Sequence, residues 1–178
     1  MAIRQLAVLG ILAAFSPALA CKSMGFKAGR PEAVCQVASL GTGSVHGTVS
    51  FSLEAQGMLV EAELDGLTPG KHGIHIHEHG DCGGDAAAAA GGHFNPMGLA
   101  HGAAASMGSH EGDLGNIMAD GAGHARLSLH DPGLQLTGEH GILGRSVVVH
   151  AAEDDLASQP AGNSGARIAC GLITAAPR

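Results

Sequence analysis

The sequence predicts an all-β domain, a sandwich or flattened barrel carrying two long loops. Three observations point there. Apolar residues recur with period two in several short runs, the pattern of strands with one face on a core. Turn-forming residues punctuate those runs, with 29 Gly and 7 Pro among 178 residues. No strand-like run is followed by an amphipathic helix, so a parallel α/β arrangement is not indicated. With four Phe and no Trp or Tyr, the core must be built mostly from Val, Leu, Ile and Ala. The length suits one domain plus extras, enough to bury a real core.

Residues 1–20 read as a signal peptide. Arg4 supplies the charged start, Leu6 to Phe15 the apolar stretch and Ala18-Leu19-Ala20 the small-residue cleavage site. The apolar run is too short for a comfortable transmembrane helix. Cys21 follows directly, the position of a lipid-bearing cysteine in a bacterial lipoprotein. Ordinary cleavage that leaves Cys21 as a thiol or disulfide partner is the other reading. Residues 21–32 form a flexible lead with Lys22, Lys27 and Arg30, and the domain proper spans 33–178.

Within the domain, Ala33 to Ala38 is the first expected strand. Ser44 to Leu53 alternates Val45, Gly47, Val49, Phe51 and Leu53 on one face. Met58 to Leu64 alternates again and pairs with it across Ala55-Gln56-Gly57. Pro69-Gly70 makes a turn into a strand from Lys71 to His79. Residues 80–113 are a long break. Ala86 to Ala90 has helical propensity, but flanking Gly pairs and shortness favour loop. A loop of this length inside a compact domain usually carries function. Strands are expected again at Leu114–Ala119, Gly123–Leu129, Leu134–Leu136 and Arg145–His150. A second long loop, Ala151 to Gly165, leads into the last strand, Ala166 to Ile173.

The formal charge is −7, and −8 once Arg4 leaves with the signal. A chain this acidic has no generic affinity for nucleic acid. Four cysteines, Cys21, Cys35, Cys82 and Cys170, would meet an oxidising compartment after export, so a disulfide is expected. They allow three pairings, and spacing does not choose among them.

The chemistry lies in the histidines, of which there are 12. His75 and His77 project from one face of a strand while Ile74 and Ile76 pack on the other. An isolated His-x-His is more often a solvated strand face than a metal site. Here His93, His101, His110, Asp113 and His150 follow in order. Imidazole is the commonest protein metal ligand. Nitrogen-rich sets suit copper and zinc, and three imidazoles with one carboxylate suit tetrahedral zinc. Six histidines serve two metals as four and three only if one imidazole is shared, which its two nitrogens permit.

GIHIHEHGDC, AGGHFNP, HEGDLGN, GRSVVVHAAEDD and GNSGARIACG strongly resemble the copper/zinc superoxide dismutases, from about Ala33 to the C-terminus. The insertion between Cys82 and His93, with the export signal, resembles the bacterial exported branch. The resemblance implies a Greek-key β-sandwich or flattened eight-stranded barrel. It implies copper on His75, His77, His93 and His150, zinc on His93, His101, His110 and Asp113, and His93 as the bridge, one ion of each per subunit. Asp154 matches the outer carboxylate that orients His75 and His101. Arg167 matches the guanidinium that docks the anion, and with His93 it carries the catalysis. Cys82 and Cys170 match the intrasubunit disulfide, which on the chain-entropy argument is worth on the order of 4 kcal/mol. Cys35 matches a buried free thiol. That leaves Cys21 unpaired, which favours lipidation and a membrane tether.

The implied enzyme is an exported oxidoreductase, periplasmic or anchored to the cell envelope, that converts superoxide to oxygen and hydrogen peroxide. A homodimer is allowed, although His79 stands where some relatives place an aromatic at the subunit contact. A non-catalytic copper/zinc buffer or copper-delivery protein on the same scaffold is the competing reading. The chain departs from eukaryotic members in the second loop. Ala152, Pro160 and Ala161 replace polar or basic channel residues there, which leaves Arg167, and residues elsewhere such as Lys71, as sources of attraction for an anion. His46, His72, His79, His124, His130 and His140 are expected on the surface or in structural roles.

Overall fold

The computed structural model describes residues 30–177; the signal peptide, Cys21, Lys22 and Lys27 lie outside them. Eight strands close into an antiparallel barrel in the order β1-β2-β3-β6-β5-β4-β7-β8. They are β1 Ala33–Ser39, β2 His46–Glu54, β3 Gly57–Asp65, β4 Gly70–His77, β5 Asp113–Ala119, β6 Ala125–Asp131, β7 Ser146–His150 and β8 Arg167–Ala175. The first three form a meander. Two connections then cross the barrel, from β3 to β4 and from β6 to β7, and these produce the Greek-key order.

The alternation read from the sequence is realised in the core. Val49 and Phe51 of β2, Met58, Val60, Ala62 and Leu64 of β3, and Ile173 of β8 are all buried in one cluster. Ala55-Gln56 turns β2 into β3, with Glu54 paired to Gly57. The barrel is weakest between β5 and β6, joined only through Met118–Arg126 and Ala119–Ala125, which suits a flattened cross-section.

Strands β4 and β7 are buried on both faces. Ile74, Ile76, Val147 and Val149 face the barrel core. On the outer side Val148 packs with Cys170, Ala87 and Ala90 in a second cluster, against which Cys82 and Leu40 rest. Loops 78–112 and 151–166 cover this outer face. That is why His75 and His77 are 0% and 1% exposed although they point away from the core.

Two local expectations are corrected. Leu134–Leu136 is not a strand; only Gln135 makes an isolated bridge, to Gly141. Leu134 is buried as an apolar plug of the β6–β7 crossing rather than as a ladder residue. The alanine run is not plain loop either. Asp85–Ala90 forms a short 3-10 turn with Ala86 and Ala87 at φ 48° and 53°. Left-handed conformations of this kind disfavour residues with a Cβ. Burial of Ala87 and Ala90 against Val148 and the cystine holds them there.

Candidate metal centre

Strand geometry sets up the first half of the centre. His75 and His77 leave β4 on its outer face, and His150 ends β7, which pairs with β4 through His75–Val148 and His77–Ser146. His93 reaches the same place from the first loop through an isolated bridge with His77. One ring nitrogen from each of His75, His77, His93 and His150 lies within 4.8 Å of the others.

The nitrogens that turn inward are fixed by what holds the other side of each ring. His75 Nε2–H donates to Asp154 Oδ2 at 2.7 Å. His77 Nδ1–H donates to the Gly91 carbonyl at 3.0 Å, and His150 Nδ1–H to the Gly165 carbonyl at 3.1 Å. These bonds select the tautomers. They leave His75 Nδ1, His77 Nε2, His93 Nε2 and His150 Nε2 buried without a hydrogen-bond partner among the described residues. Buried polar atoms are rarely left unpaired. Four orphaned lone pairs converging on one point fit a cation.

Burial is the main cause that holds the His75, His77 and His150 rings neutral. It pushes His75 down to about 3, His77 to about 2 and His150 to about 4, aided by the neighbouring rings. Neutral imidazole is the metal-binding form.

The second half is built from the loop. His93, His101, His110 and Asp113 form another set whose atoms lie within 4.8 Å of one another. Nδ1 of His93 and Nδ1 of His101 each lie 2.9 Å from Asp113 Oδ1, and Nδ1 of His110 lies 3.2 Å away. Ligand atoms at the corners of a tetrahedron with zinc-length bonds lie roughly 3.3 Å apart. Asp113 Oδ2 is turned out of the set, where it accepts the backbone N–H groups of Gly102 at 3.0 Å and His110 at 3.1 Å. Burial raises the Asp113 carboxyl, but the hydrogen bond from His93 and the Gly102 N–H outweigh it and bring it below the usual range.

Asp154 ties the halves together. Its Oδ2 takes His75 and its Oδ1 takes His101 Nε2–H at 2.8 Å. Burial pushes this carboxyl up, but the His75, His101 and Leu156 N–H bonds pull it down to about 2. Gly162, at φ 63°, lies against the pair. A Cβ there would come within 2.6 Å of His101 Nε2 and would strike Asp154.

Arg167 stands beside the first half. Its guanidinium donates to the carbonyls of Ala87 at 2.6 Å and Gly91 at 2.5 Å. Gly91 is the carbonyl that also holds His77, so the arginine and that imidazole share one anchor. Both of its acceptors are neutral, and its charge is therefore uncompensated there. Lys71 is different: its ammonium is paired with Glu153 at 2.5 Å. The disulfide joins Cys82 to Cys170, and Cys35 is a free buried thiol that burial pushes up to about 12.

Some contributors carry no signature in the sequence. Asn116 exchanges two bonds with the main chain of Asp154, at 2.8 and 2.9 Å. His72, expected to be structural, donates from Nδ1 to the His150 carbonyl at 2.8 Å. No residue spacing announces either contact. Of the remaining histidines, His140 pairs with Glu111, His124 with Asp65 and His130 with Glu54. His46 bonds the Ser44 carbonyl, and His79 is exposed.

Comparison with known proteins agrees with this geometry. The chain is 43% identical over 153 residues to copper–zinc superoxide dismutase A of Xenopus laevis, covering 82% of this chain and 99% of that one. It is 44% identical over 140 residues to copper–zinc superoxide dismutase 2 of Mesembryanthemum crystallinum, covering 75% and 89%. It is 41% identical over 140 residues to an extracellular copper–zinc superoxide dismutase of Brugia pahangi, covering 74% and 70%. Residues 45–173 match the family described as copper/zinc superoxide dismutase (SODC), and the chain belongs to that family.

Proposed function

We propose that the protein is a superoxide dismutase that binds one copper ion and one zinc ion per subunit. Two superoxide anions and two protons would become oxygen and hydrogen peroxide. One observation carries the reading: His93 belongs to both ligand sets. Its Nδ1 faces Asp113 and its Nε2 faces His75, His77 and His150 with no hydrogen-bond partner among the described residues.

The all-imidazole set suits copper and the set with Asp113 suits zinc. With both bound, the centre would supply a one-electron redox couple beside a fixed cation. The remaining work falls to the chain. Arg167 attracts and docks the anion with a charge that does not titrate in the working range. His93 can take up and release a proton at Nε2 while Nδ1 stays turned to the second set. Asp154 and the Gly91 and Gly165 carbonyls hold the other rings, so that little reorganises between half-reactions.

The competing buffer reading shares the ligands but gives Arg167 no task. A steady-state superoxide assay on protein reconstituted with both metals separates them. Catalysis that depends on both metals is expected; metal-loaded protein without dismutation would establish the buffer.

The finer placement is also proposed. We infer export, because the disulfide needs an oxidising compartment and the Brugia relative is named extracellular. The bacterial branch, with periplasmic or lipoprotein placement, rests on the 1–20 signal and Cys21. So does the division into signal peptide, 21–32 lead and 33–178 domain. Mass spectrometry of the mature N-terminus tests it: diacylglycerol on Cys21 is expected, and an unmodified Cys21 removes the membrane tether. A homodimer is a further part of this reading, and sedimentation velocity decides it.

A further inference from the structure

We infer that Gln159 is a positioning residue for the zinc-side ligand His101, supplying the backbone partner that the loop denies it. The inference rests on the zinc reading of the His93, His101, His110 and Asp113 set. The other ligands are tied through regular structure. His75, His77 and His150 sit in ladders, His93 bridges to His77, and Asp113 begins β5. His110 is closed onto Asp113 by the Asp113 N–H to His110 carbonyl bond at 3.2 Å.

His101 has no such support. It lies outside every strand, and among the described residues neither its N–H nor its carbonyl bonds another backbone group. Both go to one side chain. Gln159 Oε1 accepts the His101 N–H at 2.7 Å, and Gln159 Nε2 donates to the His101 carbonyl at 3.0 Å. The amide thus imitates a strand neighbour from 58 residues away. Its orientation is itself fixed, because Nε2 also donates to the Ala157 carbonyl at 3.0 Å. A flipped amide would set oxygen against two carbonyls and nitrogen against an N–H.

The second loop therefore holds this ligand twice. Asp154 holds the ring at Nε2, and Gln159 holds the main chain from which the ring projects. A ring tethered at its far nitrogen, with its main chain held only at the next residue by the Gly102 N–H to Asp113 Oδ2 bond, could still pivot and carry Nδ1 off the set. With the peptide clamped, the pivot is closed. Gln159 is itself exposed, so water competes for the clamp. The expected effect is at the low end for an outer partner of a metal site.

The test uses the full chain carrying both metals, with Gln159→Met, which keeps length but neither polar contact, and Gln159→Ala. Zinc and copper affinities are measured separately by competition with chromophoric chelators. Amide exchange at His101 is followed in the metal-free protein. Both variants are expected to lose about tenfold in zinc affinity, to keep copper affinity within about twofold, and to exchange the His101 amide faster. Unchanged zinc affinity, or an equal loss of both metals, overturns the inference. A parent protein that takes up no zinc defeats the underlying metal reading instead, before any variant is compared. Should one variant not fold, the other carries the same outcomes.

Discussion

The two halves of the metal centre share His93 and are otherwise built in opposite ways. The first half takes His75, His77 and His150 from adjacent strands and contains no carboxylate. The second takes His101, His110 and Asp113 from the first long loop and its junction with β5. In the first half burial dominates, and the His75, His77 and His150 rings are kept neutral near neutral pH. In the second, carboxylates compete with burial. At His101 burial lowers the proton affinity, yet Asp154 and Asp113 together raise it above the ordinary value. At His110 burial prevails and the shift is downward. A strand-borne set of neutral ligands needs little further positioning. A loop-borne set must be fixed piece by piece, with Asp113 Oδ2, Asp154 and Gln159 as the fasteners.

If the halves are as separate as this, a substitution in the carboxylate half should be one-sided. Asp113→Ala removes the oxygen on which three imidazoles converge and leaves their lone pairs facing one another. Outer partners alone are worth 10–100-fold in metal affinity, so loss of the ligand itself should cost zinc more than about 100-fold. Copper affinity should fall far less, because only His93 is common. Competition titrations with each metal check this. Equal losses would mean that the halves form a single cooperative site.

Asp154→Asn probes the tie between them. The amide offers one acceptor where two N–H groups now donate, so either His75 or His101 is left facing an NH2. The metal whose ring is left without an acceptor should weaken by roughly tenfold and the other by less, and an unchanged affinity for both metals would show that Asp154 does not tie the halves. A loss confined to one metal would show which ring keeps the remaining oxygen.

The contrast between the halves also explains what could be read in the chain. Period two placed His75 and His77 on one face with Ile74 and Ile76 on the other, and that needed only local geometry. The same periodicity gave most of the strands. It failed at Leu134–Leu136, where apolar character reflects burial at a barrel crossing without a ladder. The disulfide could not be chosen by spacing, because pairing depends on how the last strand returns beside the first loop. The clamps on Asp154 and His101 were illegible for the same reason. Asn116 and Gln159 each clamp the main chain of one partner residue, over 38 and 58 residues, and neither residue type is distinctive. Ligand identity is local chemistry, whereas ligand orientation is a property of the closed barrel.

Arg167 stands beside the strand-borne half, and on the proposed docking role its removal should leave both metal affinities nearly intact while slowing catalysis. Electrostatic steering raises encounter rates by factors of 10–1000, so Arg167→Ala should lower kcat/KM for superoxide at least roughly tenfold at low salt. The salt dependence of the remaining rate should flatten, since the screened attraction has been removed. Pulse radiolysis across a range of ionic strength measures both. An unchanged rate and salt slope would sink the docking role.

The smallest effect is expected at Lys71, the other cation that could attract an anion. Side-chain exposure is 46% for Lys71 and 55% for Glu153, and the two are paired at 2.5 Å. At a distance beyond the pair's own separation, its field is that of a small dipole, and at physiological salt the screening length is about 8 Å. An approaching anion therefore meets Lys71 as nearly neutral, whereas Arg167 is bonded only to neutral carbonyls. Lys71→Gln should change kcat/KM by less than about twofold, and exposed pairs of this kind are worth only about 0–1 kcal/mol to stability. The informative partner is Glu153→Gln, which unmasks the ammonium. If attraction at the mouth is limited by compensation rather than by a shortage of cations, Glu153→Gln should raise kcat/KM at low salt and lose the advantage as salt is added. No gain in that variant would place Lys71 outside the anion's path and leave Arg167 as the effective charge.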